Sequence, residues 1–278
     1  MYSLPNAKIN IGLRILDRRP DGYHNLQTIF YPIPLTDSLE VKEAARLRQP
    51  YEFILSGLKV PDDGKENIVV RVFMALKEEF SLPPTSIFLS KHIPTGAGLG
   101  GGSSDAAFMM QLLNDNYHLG LTPSDMEQRL AAFGADCPFF VRNKPVFAQG
   151  IGNEFIPVDL SLKGMHLALV KPHIHVSTAE AYANVTPCQP QTSLYDQLLN
   201  TPVKLWRNVI SNDFEPTVFR RHPEVAAIKQ TLYDMGATYA SMSGSGSAVY
   251  GIFTRPVDNL AKIFSDCFTF ADSLTLFT

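Results

Sequence analysis

Five glycines in seven positions, Gly96-Ala97-Gly98-Leu99-Gly100-Gly101-Gly102, constrain this 278-residue chain more than any other feature. The stretch Pro94–Ser104 that holds them follows a strand-like Ser86–Lys91 and runs directly into Asp105–Asn114, a segment too apolar for a surface helix. The order is strand, glycine loop, buried helix. Glycines let the backbone bend until successive N–H groups converge on an anion. A helix opening at Ser103 and Ser104 adds its free N–H groups and partial positive end at the same spot. A flexible linker has no reason to run straight into a buried helix, so the loop reads as a phosphate site.

Neither standard phosphate motif is satisfied. There is no Lys-Ser or Lys-Thr at the P-loop position, and Gly98-Leu99-Gly100-Gly101-Gly102 meets the dinucleotide spacing only loosely. No acidic residue ends a strand about twenty residues on, where a ribose needs one, so an NAD-dependent oxidoreductase is disfavoured.

Around the loop, periodicity predicts both strands and helices. Ala7–Leu16 alternates, with Ile9, Ile11, Leu13 and Ile15 on one face and Lys8, Asn10, Gly12 and Arg14 on the other, so Lys8 and Asn10 project together. Pro20-Asp21-Gly22 turns the chain, leaving Tyr23 and His24 just past the turn. Strands are expected around Leu26–Ile33, Ser38–Lys42 and Phe53–Leu55, and a helix opens at Asn67. Thr122-Pro123 starts a helix to about Phe133, stopped by Gly134. A second cycle has a strand at His166–Lys171, a helix at Ser177 with Glu180 at capping-box spacing, and a helix at Pro223–Met235. Interspersed strands and helices indicate α/β or α+β layers.

At about 100–200 residues per domain, this length suggests two domains. Periodicity is lost between Ala148 and Lys163, where Gly150, Gly152, Asn153 and Pro157 gather, so the division expected is 1–155 and 156–278. The net charge of −3 contains no long block of either sign, which makes nucleic acid and anionic membrane poor partners. No apolar run approaches the roughly 20 residues of a membrane span, and the first residues lack the basic stretch and apolar core of a secretory signal. A soluble, cytoplasmic protein is expected. Cys137, Cys188 and Cys267 are odd in number and widely spaced, and read as small buried apolar residues rather than a disulfide framework or zinc site.

Three weaker signals remain open at this level. Ser243-Gly244-Ser245-Gly246, between strand-like Ala237–Ala240 and Ala248–Phe253, is either a second functional loop or a plain hairpin turn. Asp136, in Gly134-Ala135-Asp136-Cys137-Pro138, reads as a turn residue unless other motifs give it company. His173 and His175 have no third ligand at matching spacing and are set aside as structural. No pattern supports a Ser-His-Asp triad.

Taken together, Pro5-Asn6-Ala7-Lys8-Ile9-Asn10, the Pro94–Ser104 loop and Ser243-Gly244-Ser245-Gly246 resemble the three motifs of the galactokinase, homoserine kinase, mevalonate kinase and phosphomevalonate kinase (GHMP) superfamily, in the right order. Asp136 in Gly-Ala-Asp-x-Pro and the block Asp21-Gly22-Tyr23-His24 narrow the likeness to the branch acting on a cytidine diphosphate-linked methylerythritol, in the non-mevalonate isoprenoid pathway. Two departures are visible: Asn6 stands between Pro5 and Ala7, and Cys137 replaces the commoner Val. Neither removes a reacting group.

The resemblance implies a two-domain GHMP-kinase-like fold. Its N-terminal domain is ribosomal S5 domain 2-like and binds ATP, and a smaller α/β C-terminal domain contributes to substrate binding, with the active site in the cleft. ATP is expected along Pro94, Thr95, Gly96, Ala97, Gly98, Leu99, Gly100, Gly101, Gly102, Ser103 and Ser104, with Asn67 and Lys91 on the nucleoside side. Asp136 matches the catalytic base and Lys8 its electrostatic partner. Asn10 matches a contact to the erythritol end, Tyr23 and Tyr182 the residues stacking on cytosine, and His24 the edge-reading residue, with Thr178 and Gly244 as further substrate contacts. ATP chemistry implies Mg2+, whose protein ligands the resemblance does not identify. The partner implied is a small molecule, with the chain a monomer or weak homodimer. The alternatives are a kinase of the mevalonate or homoserine type and a non-catalytic nucleotide or metabolite sensor on the same fold.

Overall fold

The computed structural model describes residues 1–62, 64–183 and 185–275. In chain order the strands are β1 (Tyr2–Ser3), β2 (Asn6–Arg18), β3 (His24–Thr36), β4 (Ser38–Glu43), β5 (Tyr51–Gly57), β6 (Thr85–Lys91), β7 (Val146–Gln149), β8 (Glu154–Pro157), β9 (His166–Pro172), β10 (Tyr239–Met242), β11 (Val249–Phe253) and β12 (Cys267–Ser273). Packing divides the chain into two compact units, one of Met1–Ala7, Leu35–Thr95 and Gly100–Asn143, the other of Lys8–Pro34, Gly96–Leu99 and Lys144–Thr278. The units interleave along the sequence.

The first unit is built on a sheet in the order β1-β4-β6-β5, antiparallel except for the parallel β5–β6 pair. Strand β6 alternates strictly, burying Thr85, Ile87, Leu89 and Lys91, so a lysine faces inward with the apolar side chains. Helix α1 (Ile68–Phe80) opens where the Asn67 side chain accepts from the Val69 N–H and buries Val69, Val72, Phe73 and Leu76. Helix α2 (Gly101–Tyr117) packs against it and buries Ala106, Ala107, Met109, Met110 and Leu113. It begins two residues earlier than expected, because Gly100 at φ +70° places the turn into the helix ahead of the serines.

Helix α3 (Pro123–Leu130) carries a reciprocal capping box between Thr122 and Asp125. It stops at Leu130 rather than Phe133, because the bonds Ala132 N–H to Arg129 O and Phe133 N–H to Leu130 O tighten the chain into turns. A short α4 (Phe139–Arg142) buries Phe139, Phe140 and Val141.

The second unit holds two sheets, β2-β3-β7-β8 and β10-β11-β9-β12. The alternation of β2 is real, with Ile9, Ile11 and Ile15 fully buried, but Lys8 and Asn10 on its polar face do not reach solvent, each being only 3% exposed. The β7–β8 hairpin, Val146 pairing with Pro157, reaches into the stretch Ala148–Lys163. Strand β8 escapes a sequence reading because it is mostly exposed, so no buried face imposes an alternating pattern. Helix α5 (Thr178–Tyr182) is capped by Ser177, which accepts from the Glu180 N–H. Only half of the anticipated box forms, since the Glu180 carboxylate turns to Arg221 and His222. Helices α6 (Leu194–Asn200), α7 (Trp206–Val209), α8 (Glu215–Arg221) and α9 (Pro223–Asp234) follow. The core of the second sheet gathers Ala168, Val170, Met242 and Val249 with Val225 and Leu232 of α9.

Of the cysteines, Cys137 is buried as expected, Cys188 is exposed and Cys267 is half-buried. Burial pushes the Cys137 thiol up to about 11.

Candidate active site

Within the second unit, alternation on β2 brings Lys8 and Asn10 to one face, as the pattern predicts. Lys8 Nζ donates to Asn10 Oδ1 at 2.6 Å and lies 4.4 Å from the centre of the Phe30 ring. Asn10 Nδ2 donates to Thr28 Oγ1 at 3.1 Å, and Thr28 Oγ1 donates to the Gly12 carbonyl at 2.6 Å. The Asn10 backbone is held as firmly: its N–H donates to Ser243 Oγ at 3.1 Å, and its carbonyl accepts from the Tyr250 hydroxyl at 2.9 Å.

The two small-residue loops meet beside this pair. Ser243 Oγ donates to the Gly98 carbonyl at 2.8 Å, and the Lys8 N–H donates to the Leu99 carbonyl at 2.9 Å. A Cβ on Gly244 would lie 3.3 Å from Asn10 Oδ1. Ser243–Gly246 closes the β10–β11 hairpin, Ser243 N–H to Ala248 O, as the turn reading has it, and it also abuts the glycine loop. Positive φ at Gly96 (+59°) and Gly98 (+73°) supplies the curvature expected of an anion cradle. His175, set aside in the sequence, touches this loop: a Cβ on Gly96 would sit 2.8 Å from its Nδ1.

A second cluster forms in the first unit. A cavity of about 890 Å³ is lined by residues that include Tyr51, Asn67, Arg71, Lys91, Thr95 and Gly102, so Asn67 and Lys91 share one concave surface. Asn67 also caps α1 through Oδ1, 3.0 Å from the Val69 nitrogen. Lys91 is engaged with two carboxylates, bonding Asp37 and, at 2.5 Å, Asp105 Oδ2. Asp37 Oδ1 also accepts the Ile93 N–H at 2.8 Å. Burial is the largest cause raising Asp105, to about 7, against the pull of the Lys91 ammonium. Ser103 and Ser104 lie in the first turn of α2, and the fully buried Ser104 Oγ has no hydrogen-bond partner among the described residues. Asp136 stands half-buried in the turn between α3 and α4, where the Cys137 N–H bonds the Gly134 carbonyl.

Aromatic residues cluster elsewhere in the second unit. The His24 and Tyr182 rings stack at 4.7 Å and 20°, and Phe214 meets Tyr182 edge-on at 4.8 Å. Tyr182 is thus paired with His24 and Phe214, while Tyr23 is 61% exposed on the Pro20–Gly22 turn. Thr178 is exposed in the first turn of α5. Sequence reasoning missed Thr28, His175 and Phe214. Thr28 carried a usable signal, being a polar residue on the same strand face as Leu26 and Phe30.

Comparison with known proteins gives one consistent result. The family GHMP kinases N terminal domain matches residues 67–144, and GHMP kinases C terminal matches residues 195–268. A 4-diphosphocytidyl-2-C-methyl-D-erythritol kinase of Bacteroides fragilis is 50% identical over 275 residues, covering 99% of this chain and 100% of its own. One from Parabacteroides distasonis is 51% identical over 276 residues, with the same coverage. A crystal structure of 4-(cytidine 5'-diphospho)-2C-methyl-D-erythritol kinase superposes with a TM-score of 0.81 at 30% identity, covering 99% of this chain and 100% of that one. A mevalonate kinase crystal structure, at 14% identity and a TM-score of 0.65 over 99% of this chain and 100% of that one, shares the fold.

Proposed function

The chain belongs to the GHMP kinase family, and from that premise we propose that it transfers the γ-phosphoryl group of ATP to the 2-hydroxyl of 4-diphosphocytidyl-2-C-methyl-D-erythritol, in the non-mevalonate route to isoprenoid precursors. The observation that carries this reading is the end-to-end match, at half identity, to kinases of that name. It disfavours a mevalonate or homoserine kinase, which shares the fold at far lower identity.

The glycine loop suits a triphosphate. Positive φ at Gly96, Gly98 and Gly100 turns the backbone repeatedly, and the loop ends at the N-terminus of the 17-residue α2, whose free N–H groups favour an anion. We assign the phosphates to Pro94–Ser104 and the nucleoside to the cavity bearing Asn67 and Lys91. Lys91, bonded to Asp37 and Asp105, shapes that cavity wall. Among the described residues no group of three His, Cys, Asp or Glu side chains is placed to hold an ion. We take the nucleotide to react as MgATP, in which the ion would offset charge on the phosphates.

At the acceptor, Asp136 takes the hydroxyl proton as the alcohol attacks in line, a role worth about 10²–10⁴ in rate for a well-placed base. Lys8 offsets charge on the transferring group. Asn10, beside Lys8, bonds the erythritol hydroxyls, with Gly244 leaving room next to its amide oxygen. Tyr182, His24, Tyr23 and Thr178 receive the cytidine end, stacking and edge hydrogen bonds together matching a pyrimidine. We keep residues 1–155 as the ATP-binding part and 156–278 as contributing to substrate binding. Among the described residues no helix is long and apolar enough to cross a membrane. We propose a cytoplasmic enzyme acting on a small molecule, on the strength of its kinase relatives.

The test is ADP release by purified protein with MgATP and, in parallel, the cytidylyl substrate, mevalonate and homoserine. Release with the first alone is expected. Release with another acceptor would overturn the substrate, and silence with all three while ATP binds would point to a sensor.

A further inference from the structure

Thr28 has no part in the proposed reaction, yet it is fully buried against the acceptor-side pair. Its hydroxyl carries one proton. The Gly12 carbonyl, 2.6 Å away, accepts only, so that proton points at Gly12 and the Thr28 oxygen is left to accept. Asn10 must then turn its NH2 toward Thr28, at 3.1 Å, which aims its amide oxygen at Lys8 Nζ, 2.6 Å away. An ammonium only donates, so both ends of the Asn10 amide are specified by groups that can act in one sense alone.

We infer that Thr28 is a positioning residue: it fixes the polarity of the Asn10 amide and so holds the Lys8 ammonium and the donor and acceptor that Asn10 offers a substrate hydroxyl. This rests on the assignment of Lys8 and Asn10 to the acceptor side. Without the Thr28 hydroxyl the Asn10 NH2 loses its acceptor, and only the Lys8 ammonium still opposes a flip that would set donor against donor. A flip also exchanges donor for acceptor at the substrate, the kind of mismatch that raises the transition state more than it weakens nucleotide binding.

The experiment compares Thr28→Val, which keeps the shape and removes the hydroxyl, with Thr28→Ser, which keeps the hydroxyl. Thr28→Val is expected to lower kcat about 10- to 100-fold, the cost of leaving buried partners unmade, with the KM for ATP within about two-fold. Thr28→Ser is expected to recover most of the loss. The decisive background is Asn10→Asp, whose carboxylate has two acceptor oxygens and no polarity to set. There Thr28→Val should cost clearly less than in the wild-type background, because the hydroxyl no longer decides which end of the side chain faces Lys8. An equal loss in both backgrounds, or a Ser variant as impaired as the Val variant, overturns the inference.

A readout independent of turnover separates this inference from the proposed reaction. In wild-type protein the Asn10 side-chain amide protons, assigned by their absence in Asn10→Asp, should exchange slowly with solvent and show an NOE to Thr28. Thr28→Val should speed that exchange at least about ten-fold. Fast exchange in wild-type protein overturns the inference even if the kinase reaction is confirmed, and slow exchange upholds it even if the substrate assignment fails.

Discussion

A Cβ on Gly98 would lie 2.0 Å from the carbonyl oxygen of Ser243, a residue 145 positions further along the chain. Only a bare Cα permits that approach, and φ of +73° independently favours glycine. The glycine loop and the second small-residue loop are therefore joined by backbone proximity.

Gly98→Ala should destabilise the protein by at least about 2 kcal/mol, through backbone strain and displacement of the Ser243 carbonyl. Thermal melting is the check, with a fall of roughly 4 °C or more expected. Gly102→Ala is the contrast: nothing lies within 4 Å of a Cβ there, and an alanine inside α2 should raise stability by roughly 0.5–1 kcal/mol. A Gly98→Ala protein that melts with wild type would contradict the close approach.

Asp136→Asn keeps the side-chain volume and removes the proton acceptor. Turnover should fall by at least about 10² while the KM for ATP changes little, since the lost interaction belongs to the transition state. Steady-state kinetics decide it, and near-normal turnover would remove Asp136 from the role of base.

Tyr182→Ala should raise the KM for the cytidylyl substrate by roughly ten-fold or more, because base–aromatic stacking is worth about 1–3 kcal/mol and is present in both ground and transition states. The kcat should stay close to wild type. An unchanged KM would place the pyrimidine elsewhere.

Asp105 predicts a pH signature. Its carboxyl is raised from 3.8 to about 7 in the folded protein, first by burial and then by Asp37, with Lys91 opposing. The folded state therefore binds this proton more tightly than the unfolded chain. Its contribution to stability is complete below about pH 4 and is lost as pH rises toward 7. Relative to Asp105→Asn, wild-type protein should lose stability between pH 4 and 7 and change little above that. Urea midpoints at pH 4.5, 6 and 7.5 for both proteins give the measurement, and parallel curves would show that Asp105 keeps its ordinary pKa.

Much of the local structure was legible because its causes are local. Asn67, Thr122 and Ser177 cap helices through side chains that reach backbone N–H groups two or three residues on, so residue type and spacing are enough. The alternation in β2 set the Lys8 and Asn10 side chains on one face for the same reason. Strand β8 was hidden because an exposed strand carries no periodic burial, and the second half of the Ser177 capping box failed because Arg221 and His222 compete for Glu180.

The candidate site divides along the same line. The residue sequence alone determined the glycine loop, the strand that feeds it, the buried helix after it and the pairing of Lys8 with Asn10, since each depends on periods of two to four residues. Folding brings Ser243 to Gly98, Thr28 to Asn10, His24 onto Tyr182 and two carboxylates around Lys91. Those contacts depend on which distant segments the packed sheets bring within about 3–5 Å, and a side chain's own neighbours in sequence carry no record of the partner it will meet there.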